Sequence, residues 1–171
     1  MKKITLLTAI AMIAFTTNAV AQSTAEATAP TSATVITPIT ISKTVDMNFG
    51  NLVATTAGGA IVLPTTGART GPAAILLGTQ NGTVSAASFT VTGETDFTYA
   101  ITLPAAFNVS NTDTTPATME VGTFVSSPDA TGTLAAGTET LLVGATITLL
   151  ADQAAGDYTN ATGMIVTVLY N

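Results

Sequence analysis

Three residue types are missing from this chain of 171 residues, and each absence excludes a class of chemistry. There is no cysteine, no histidine and no tryptophan. Without cysteine the fold has no disulfide and depends on packing and on sheet hydrogen bonds. Without histidine and cysteine, Ser-His-Asp and Cys-His catalysis, thiol redox chemistry and the usual zinc sites are excluded. We therefore expect a protein that is not an enzyme, with no catalytic, metal-binding or cofactor-binding residue and no cofactor.

The N-terminus has the pattern of a secretory signal peptide. Lys2 and Lys3 precede a largely apolar run at residues 4–15, and Ala19 and Ala21 form an A-x-A cleavage site. The run is shorter than the roughly 20 apolar residues of a spanning helix, which favours a signal peptide over a membrane anchor. We expect residues 1–21 to be cleaved, with no membrane insertion afterwards. The protein would then be exported to the periplasm, the outer cell surface or the extracellular medium.

Positive charge is scarce in the rest of the chain. From Gln22 onward, Lys43 and Arg69 stand against ten acidic residues, so the formal charge changes from −6 to two minus ten, or −8. Two cations neutralise too few phosphates to hold nucleic acid, and anionic lipid surfaces are disfavoured for the same reason. Charged residues make up only 8% of the chain, against about a quarter in average proteins. Hydroxyl groups therefore have to supply most of the solubility.

The residue pattern changes at about position 34. Residues 22–33 contain no large apolar side chain and are expected to form a flexible leader. Residues 34–171 are rich in Thr and Val, with Gly, Asn and Pro between short apolar runs, and show no helical period over ten or more residues. This predicts one all-β domain, a single immunoglobulin-like antiparallel β-sandwich of about nine strands. A closed barrel is the competing architecture.

Alternating or apolar runs predict individual strands. Pro38 lacks an N–H, so the first of these strands is expected at a sheet edge. Two further runs flank residues 93–96, which contain Gly93, and this arrangement indicates a β-hairpin. The predicted strands include residues 34–41, 58–63, 73–77, 85–92, 97–104, 117–126, 130–138, 140–151 and 164–171. In the strand at 140–151 one face is entirely apolar: Leu141, Val143, Ala145, Ile147 and Leu149.

Few side chains could carry chemistry. Glu94 with Asp96, and Asp152 with Asp157, are carboxylate pairs in predicted loops. Such pairs can hold Ca²⁺ or act as acid and base, but neither stretch has the spacing of a known calcium loop. Turn residues of an acidic protein are the favoured interpretation. Tyr158 follows a turn and resembles the tyrosine corner of sandwich folds, in which a hydroxyl pins a crossing loop.

Several stretches carry a resemblance to a known family. Its most specific elements are "DMNFGNL", "FTVTGE" and the closing "QAAGDYT" and "VTVLYN". From about Ala33 to Asn171 the chain resembles the bacterial family of domain of unknown function 4402 (DUF4402). The resemblance implies an exported β-sandwich with an affinity to pilin and spore-coat-U-type domains, and it implies no activity. In pilin-like subunits the chain ends on an apolar strand, and a neighbour's N-terminal extension supplies a missing strand.

The closing strand leaves two alternatives open. One face is formed by Met164, Val166, Val168 and Tyr170. Ile165 and Leu169 lie on the other face, where a sandwich strand is normally polar. Either the first and last strands pair within one complete domain, or the last strand meets a neighbouring subunit.

These observations predict an exported, non-catalytic structural protein of the cell surface, a fimbrial- or coat-type subunit. Its partners would be copies of itself or other surface subunits, bound through the terminal strands. The alternative is a monomeric periplasmic or surface binding module that recognises a ligand, for example a glycan, through loops at one end of the sandwich. Aromatic residues make up only 5% of the chain, which weakens the glycan hypothesis because sugar sites usually use such rings.

Overall fold

The structure is a computed structural model that describes residues 24–160 and 162–171. The predicted signal peptide and the first two residues of the predicted leader lie outside the described residues. The chain divides into two units between Val35 and Ile36. The described part of the first unit, residues 24–35, contains no strand and is exposed. The second unit holds the strands described below.

The second unit is an all-β sandwich of two antiparallel sheets, as the sequence predicts, and not a closed barrel. The nine strands in the described residues are β1 (Thr40–Val45), β2 (Gly59–Leu63), β3 (Ala87–Thr92), β4 (Thr98–Thr102), β5 (Phe107–Ser110), β6 (Thr118–Ser127), β7 (Thr131–Thr133), β8 (Thr138–Leu149) and β9 (Thr167–Tyr170). The large sheet has the strand order β1-β3-β8-β6-β5, and β2 also pairs with β8; the small sheet has the order β7-β4-β9.

Strand β8 organises the large sheet. Residues 138–143 pair with β3, residues 145–149 pair with β2, and residues 142–148 pair with β6. Its alternation sends one face into the core, and the predicted apolar face is confirmed as buried: Leu141, Val143, Ala145, Ile147 and Leu149. Each large side chain buried in this way contributes about 1.5–3 kcal/mol relative to exposure.

The predicted β-hairpin at residues 85–104 is wrong. Strand β3 pairs with β1 and β8 in the large sheet, whereas β4 pairs with β7 and β9 in the small sheet. Residues 93–96 therefore cross from one sheet to the other. Both strands alternate because each turns one face to the same core, Val91 from the large sheet and Tyr99 from the small one.

Other strand predictions need smaller corrections. The run at residues 73–77 is not a strand: Ile75 is buried in a turn, and its N–H donates to the carbonyl of Pro72 at 2.9 Å. The first strand lies at a sheet edge as predicted, but it begins at Thr40, after Pro38. Strand β5 was not predicted; three of its four residues are only partly buried and Asn108 is exposed.

The predicted role of Tyr158 is confirmed. Its hydroxyl donates to the carbonyl oxygen of Ala154 at 2.7 Å and accepts from Nε2 of Gln153 at 2.8 Å. The side chain of Gln153 also reaches the carbonyl of Thr118, at 3.3 Å. The hydroxyl thus fixes the loop after β8 against the start of β6.

A tyrosine and a glutamate join the two sheets through the core. Tyr99 is completely buried on β4, and its hydroxyl donates to Oε2 of Glu139 on β8 at 2.8 Å. The N–H of Thr133 donates to the same oxygen at 2.8 Å. One carboxylate of the large sheet therefore holds two strands of the small sheet. Burial, together with the nearby carboxylate, raises the pKa of the Tyr99 phenol well above its ordinary value.

We expect this phenol to make the fold sensitive to alkaline pH. Because its pKa is higher in the folded than in the unfolded chain, its stabilising contribution is complete below the unfolded value of about 10 and is lost as pH rises further. Urea unfolding followed by circular dichroism from pH 8 to pH 11 measures the decline. Tyr99→Phe should decline less over this range. Equal declines in Tyr99→Phe and wild type would contradict the assignment.

Candidate functional site

The candidate site is the side of the sandwich where the terminal strands of the domain meet. Among the described strands, β1 pairs only with β3 and β9 only with β4, so both are edge strands. They belong to different sheets and lie next to each other. We refer to residues 37–41 and 164–170 together as the terminal seam. Each strand presents one row of backbone N–H and C=O groups without a strand partner, which is a template for pairing with another strand.

The terminal seam is apolar and only half covered. Its inward side chains pack against the core cluster around Phe89 and Leu141, yet each remains partly accessible: Ile39, Ile41, Met164, Val166, Val168 and Tyr170. On the outer face of the last strand, Ile165 is 65% exposed and Leu169 is 69% exposed. The prediction that the closing strand carries apolar residues on both faces is confirmed.

A set of three hydrogen bonds spans the terminal seam at one end. The hydroxyl of Tyr170 donates to the carbonyl oxygen of Thr37 at 2.8 Å and accepts from the N–H of Glu94 at 2.6 Å. The N–H of Thr37 donates to Oε2 of Glu94 at 2.8 Å. We refer to Thr37, Glu94 and Tyr170 as the Tyr170 latch. It fastens the segment before β1 to the loop after β3 and to the last strand.

Neighbouring residues shape the Tyr170 latch. A Cβ on Gly93 would lie 2.2 Å from the Tyr170 hydroxyl oxygen, so glycine leaves the space that this hydroxyl occupies. The Tyr170 ring meets the ring of Phe97 edge-on, with centroids 5.5 Å apart. Hydrogen bonds from Thr37, the backbone one first, lower the pKa of the Glu94 carboxyl. The carboxylate therefore stays charged to lower pH than a free one.

The carboxylates considered from the sequence serve the fold. Glu94 belongs to the Tyr170 latch, in which its carboxylate accepts a hydrogen bond from the N–H of Thr37. Asp96 and Asp152 occupy left-handed turn positions, with φ of 65° and 51°, a conformation that aspartate tolerates better than most residues. Within the described ranges, no three His, Cys, Asp or Glu side chains come together in a group that could hold a metal ion.

One open depression lies away from the terminal seam, beside Arg69, with a volume of about 460 Å³. The Nη1 group of Arg69 donates to the carbonyl oxygen of Phe49, while Nη2 is buried without a hydrogen-bond partner among the described residues. Burial lowers the pKa of this guanidinium. No aromatic ring lines the depression, so it lacks the stacking surface of a typical sugar site.

Sequence reasoning identified the apolar closing strand but missed the Tyr170 latch. The latch joins residues that are 57, 76 and 133 positions apart. Alternation along a strand carries no information about such contacts. The only signals in the sequence were a tyrosine one residue from the end and a glutamate after Gly93.

The part of the chain that the structure describes contains no helix with the length and hydropathy of a membrane span.

Comparison with known proteins gives a family match that covers almost the whole sandwich. No curated protein matches the chain. The family model of the domain of unknown function (DUF4402) matches residues 39–170, which include residues 39–41 and 164–170 of the terminal seam. As the resemblance in its sequence indicates, the chain belongs to the DUF4402 family.

Proposed function

We propose that the protein is an exported, non-catalytic structural subunit that joins other subunits at the cell surface through its terminal strands. The observation that carries this proposal is the terminal seam. Among the described residues, two strand edges without partners flank a row of half-buried apolar side chains. Soluble monomers normally protect such edges with charge, proline or a covering segment. The outer face of residues 165–169, in contrast, carries Ile165 and Leu169 and no charge.

The remaining features support the same proposal. The signal-peptide pattern at residues 1–21 supports export, and the low content of charged side chains suits a subunit that meets other subunits. The absence of histidine and cysteine from the sequence removes the commonest catalytic groups. Addition of a strand to an exposed sheet edge gives affinity through main-chain hydrogen bonds and specificity through alternate side chains.

The test is the solution mass of residues 22–171, measured by size-exclusion chromatography with light scattering. We expect a series of multiples of the monomer mass that grows with concentration. Leu169→Lys should shift the series back to monomer, because a lysine on an edge strand opposes strand addition. Leu150→Lys is the matched control, since Leu150 is 62% exposed and lies outside the terminal seam. It should assemble like the wild type.

A single monomer mass at every concentration, for wild type and variants alike, would overturn the proposal. The loops at the ends of the sandwich would then be the place to look for a function, as a monomeric binding module would use them. Assembly that Leu150→Lys and Leu169→Lys weaken equally would show that subunits meet elsewhere on the surface.

A further inference from the structure

We infer that the Tyr170 latch restrains assembly: it holds the terminal seam closed, and it must open before a strand from a second copy of this chain can enter. This inference rests on the proposed function and names both the partner segment and the control of the same site. The latch is the only set of side-chain hydrogen bonds in the described residues that joins the segment before β1 to β9.

The position of the Tyr170 latch opposes the addition of a strand at the free edge of β9. Neighbouring strands in a sheet lie about 4.8 Å apart, so a new strand on the free edge of β9 needs that much space beside it. Strand β1 already lies next to β9, and the Tyr170 hydroxyl holds the carbonyl oxygen of Thr37 at 2.8 Å. An incoming strand either passes between these two groups or displaces the segment at Thr37. Both routes break the Tyr170–Thr37 hydrogen bond.

The incoming strand is residues 31–36 of a second copy. This stretch, "TSATVI", lies between Pro30 and Pro38 and contains no proline, so every residue can donate a ladder hydrogen bond. The chain carries no charged side chain from residue 27 to residue 42. Val35 is 95% exposed, and no strand includes the described residues before Thr40.

The chemistry of this segment complements the terminal seam. Its Thr, Val and Ile side chains favour strands, and Ala33 and Val35 occupy alternate positions that would face one side. Beneath Ala33 and Val35, the half-buried side chains of the terminal seam, such as Val166 and Val168, would lose their remaining exposure. The incoming segment thus places apolar side chains against the apolar seam and carries no charge itself.

The experiment compares Tyr170→Phe with the wild type, using residues 22–171. Phenylalanine keeps the ring against Phe97 and removes only the hydroxyl. Of the two hydrogen bonds of this hydroxyl, the one to Thr37 closes the terminal seam. Loss of one ordinary hydrogen bond changes an equilibrium about fivefold, so Tyr170→Phe should reach the same multimer fraction at about one fifth of the concentration. Tyr158→Phe is the matched control. It also loses a hydroxyl with two hydrogen bonds, but far from the seam, and should assemble like the wild type.

A second readout follows the latch without assembly. In dilute monomer, amide hydrogen exchange at Thr37 and Glu94, measured by nuclear magnetic resonance, should be about fivefold faster in Tyr170→Phe than in wild type. Exchange that is unchanged at both amides would overturn the inference. So would a wild type that assembles as readily as Tyr170→Phe.

The partner segment has its own test. Val35→Asp places a charge in the donated strand, and it should abolish assembly of both the wild type and Tyr170→Phe while monomer stability stays unchanged. Thr28→Asp adds the same charge outside residues 31–36 and should leave assembly intact. If Val35→Asp assembles normally, the donated strand is wrong. Absence of multimers in wild type and Tyr170→Phe alike would instead reject the proposed function, which separates the two failures.

Discussion

Gly132→Ala, which adds one methyl group, is expected to lower the free energy of unfolding by about 3 kcal/mol. A Cβ built on Gly132 would lie 2.3 Å from Cζ of Tyr99, 2.4 Å from its hydroxyl oxygen and 2.4 Å from Oε2 of Glu139. All three distances are far inside van der Waals contact. The Tyr99 ring is completely buried, so it cannot turn into solvent to make room. Strand β7 would have to move away from β4 and from Glu139.

Urea unfolding of Gly132→Ala, monitored by circular dichroism at neutral pH, measures this effect. Gly78→Ala is the control, because a Cβ at position 78 meets no atom within 4 Å. We expect the control to unfold within about 0.5 kcal/mol of the wild type. A loss of less than about 1 kcal/mol in Gly132→Ala would mean that β7 is loosely placed and that the close contact around Tyr99 is not a constraint on the fold.

Alternation along the chain predicted which faces are buried, but not which strands pair. Val91 and Tyr99 both face the core, yet they belong to different sheets. A short loop between two alternating strands is compatible with a hairpin and with a crossing between layers. The difference depends on partners distant in sequence, here β8 for β3 and β9 for β4. The alternation along individual strands therefore predicted the two-layer architecture, but it did not predict how β3 is connected to β4.

Short apolar runs were the least informative part of the sequence. Residues 73–77 predicted a strand, yet Ile75 is buried by a turn that closes on Pro72. Four or five apolar residues show only that a segment is buried. Longer runs were reliable, because the period of two in β8 repeats over twelve residues and leaves one consistent face. The edge position of β1 was predicted on a different ground, the missing N–H of Pro38, which lies just before this strand.

Glu139 was not predicted as a feature of the core, although its position contained the signal. It continues the inward phase of Leu141 and Val143 on β8. An inward carboxylate needs hydrogen-bond donors, since burial without them is unfavourable. The donor is Tyr99, 40 residues earlier, on a strand of the other sheet. Phase alone can place the glutamate inside, but only the packed sandwich identifies its partner.

Glu139→Ala is expected to lower the free energy of unfolding by about 2 kcal/mol. It removes the acceptor of the fully buried Tyr99 hydroxyl and of the Thr133 N–H. Hydrogen bonds to a charged group contribute about 1.5–3 kcal/mol each, and an unsatisfied buried donor adds to the loss. Glu139 is only partly buried, so water can replace part of what is removed, and we expect a total loss below the sum for two such bonds. Glu139→Gln keeps an acceptor oxygen and should lose less.

A double-mutant cycle with Tyr99→Phe separates the inter-sheet hydrogen bond from general disruption. If the Tyr99–Glu139 bond joins the two sheets, Glu139→Ala should cost about 1 kcal/mol less in the Tyr99→Phe background than in wild type, because no buried hydroxyl is left without an acceptor. Additive losses would show that the two side chains act independently. The small sheet would then be held by the Tyr170 latch and by apolar packing, through Leu134, Ile101 and Val168 against β3 and β8. Coupled losses would mean that one carboxylate fixes the position of the small sheet, and with it the edge of β9 on which the terminal seam depends.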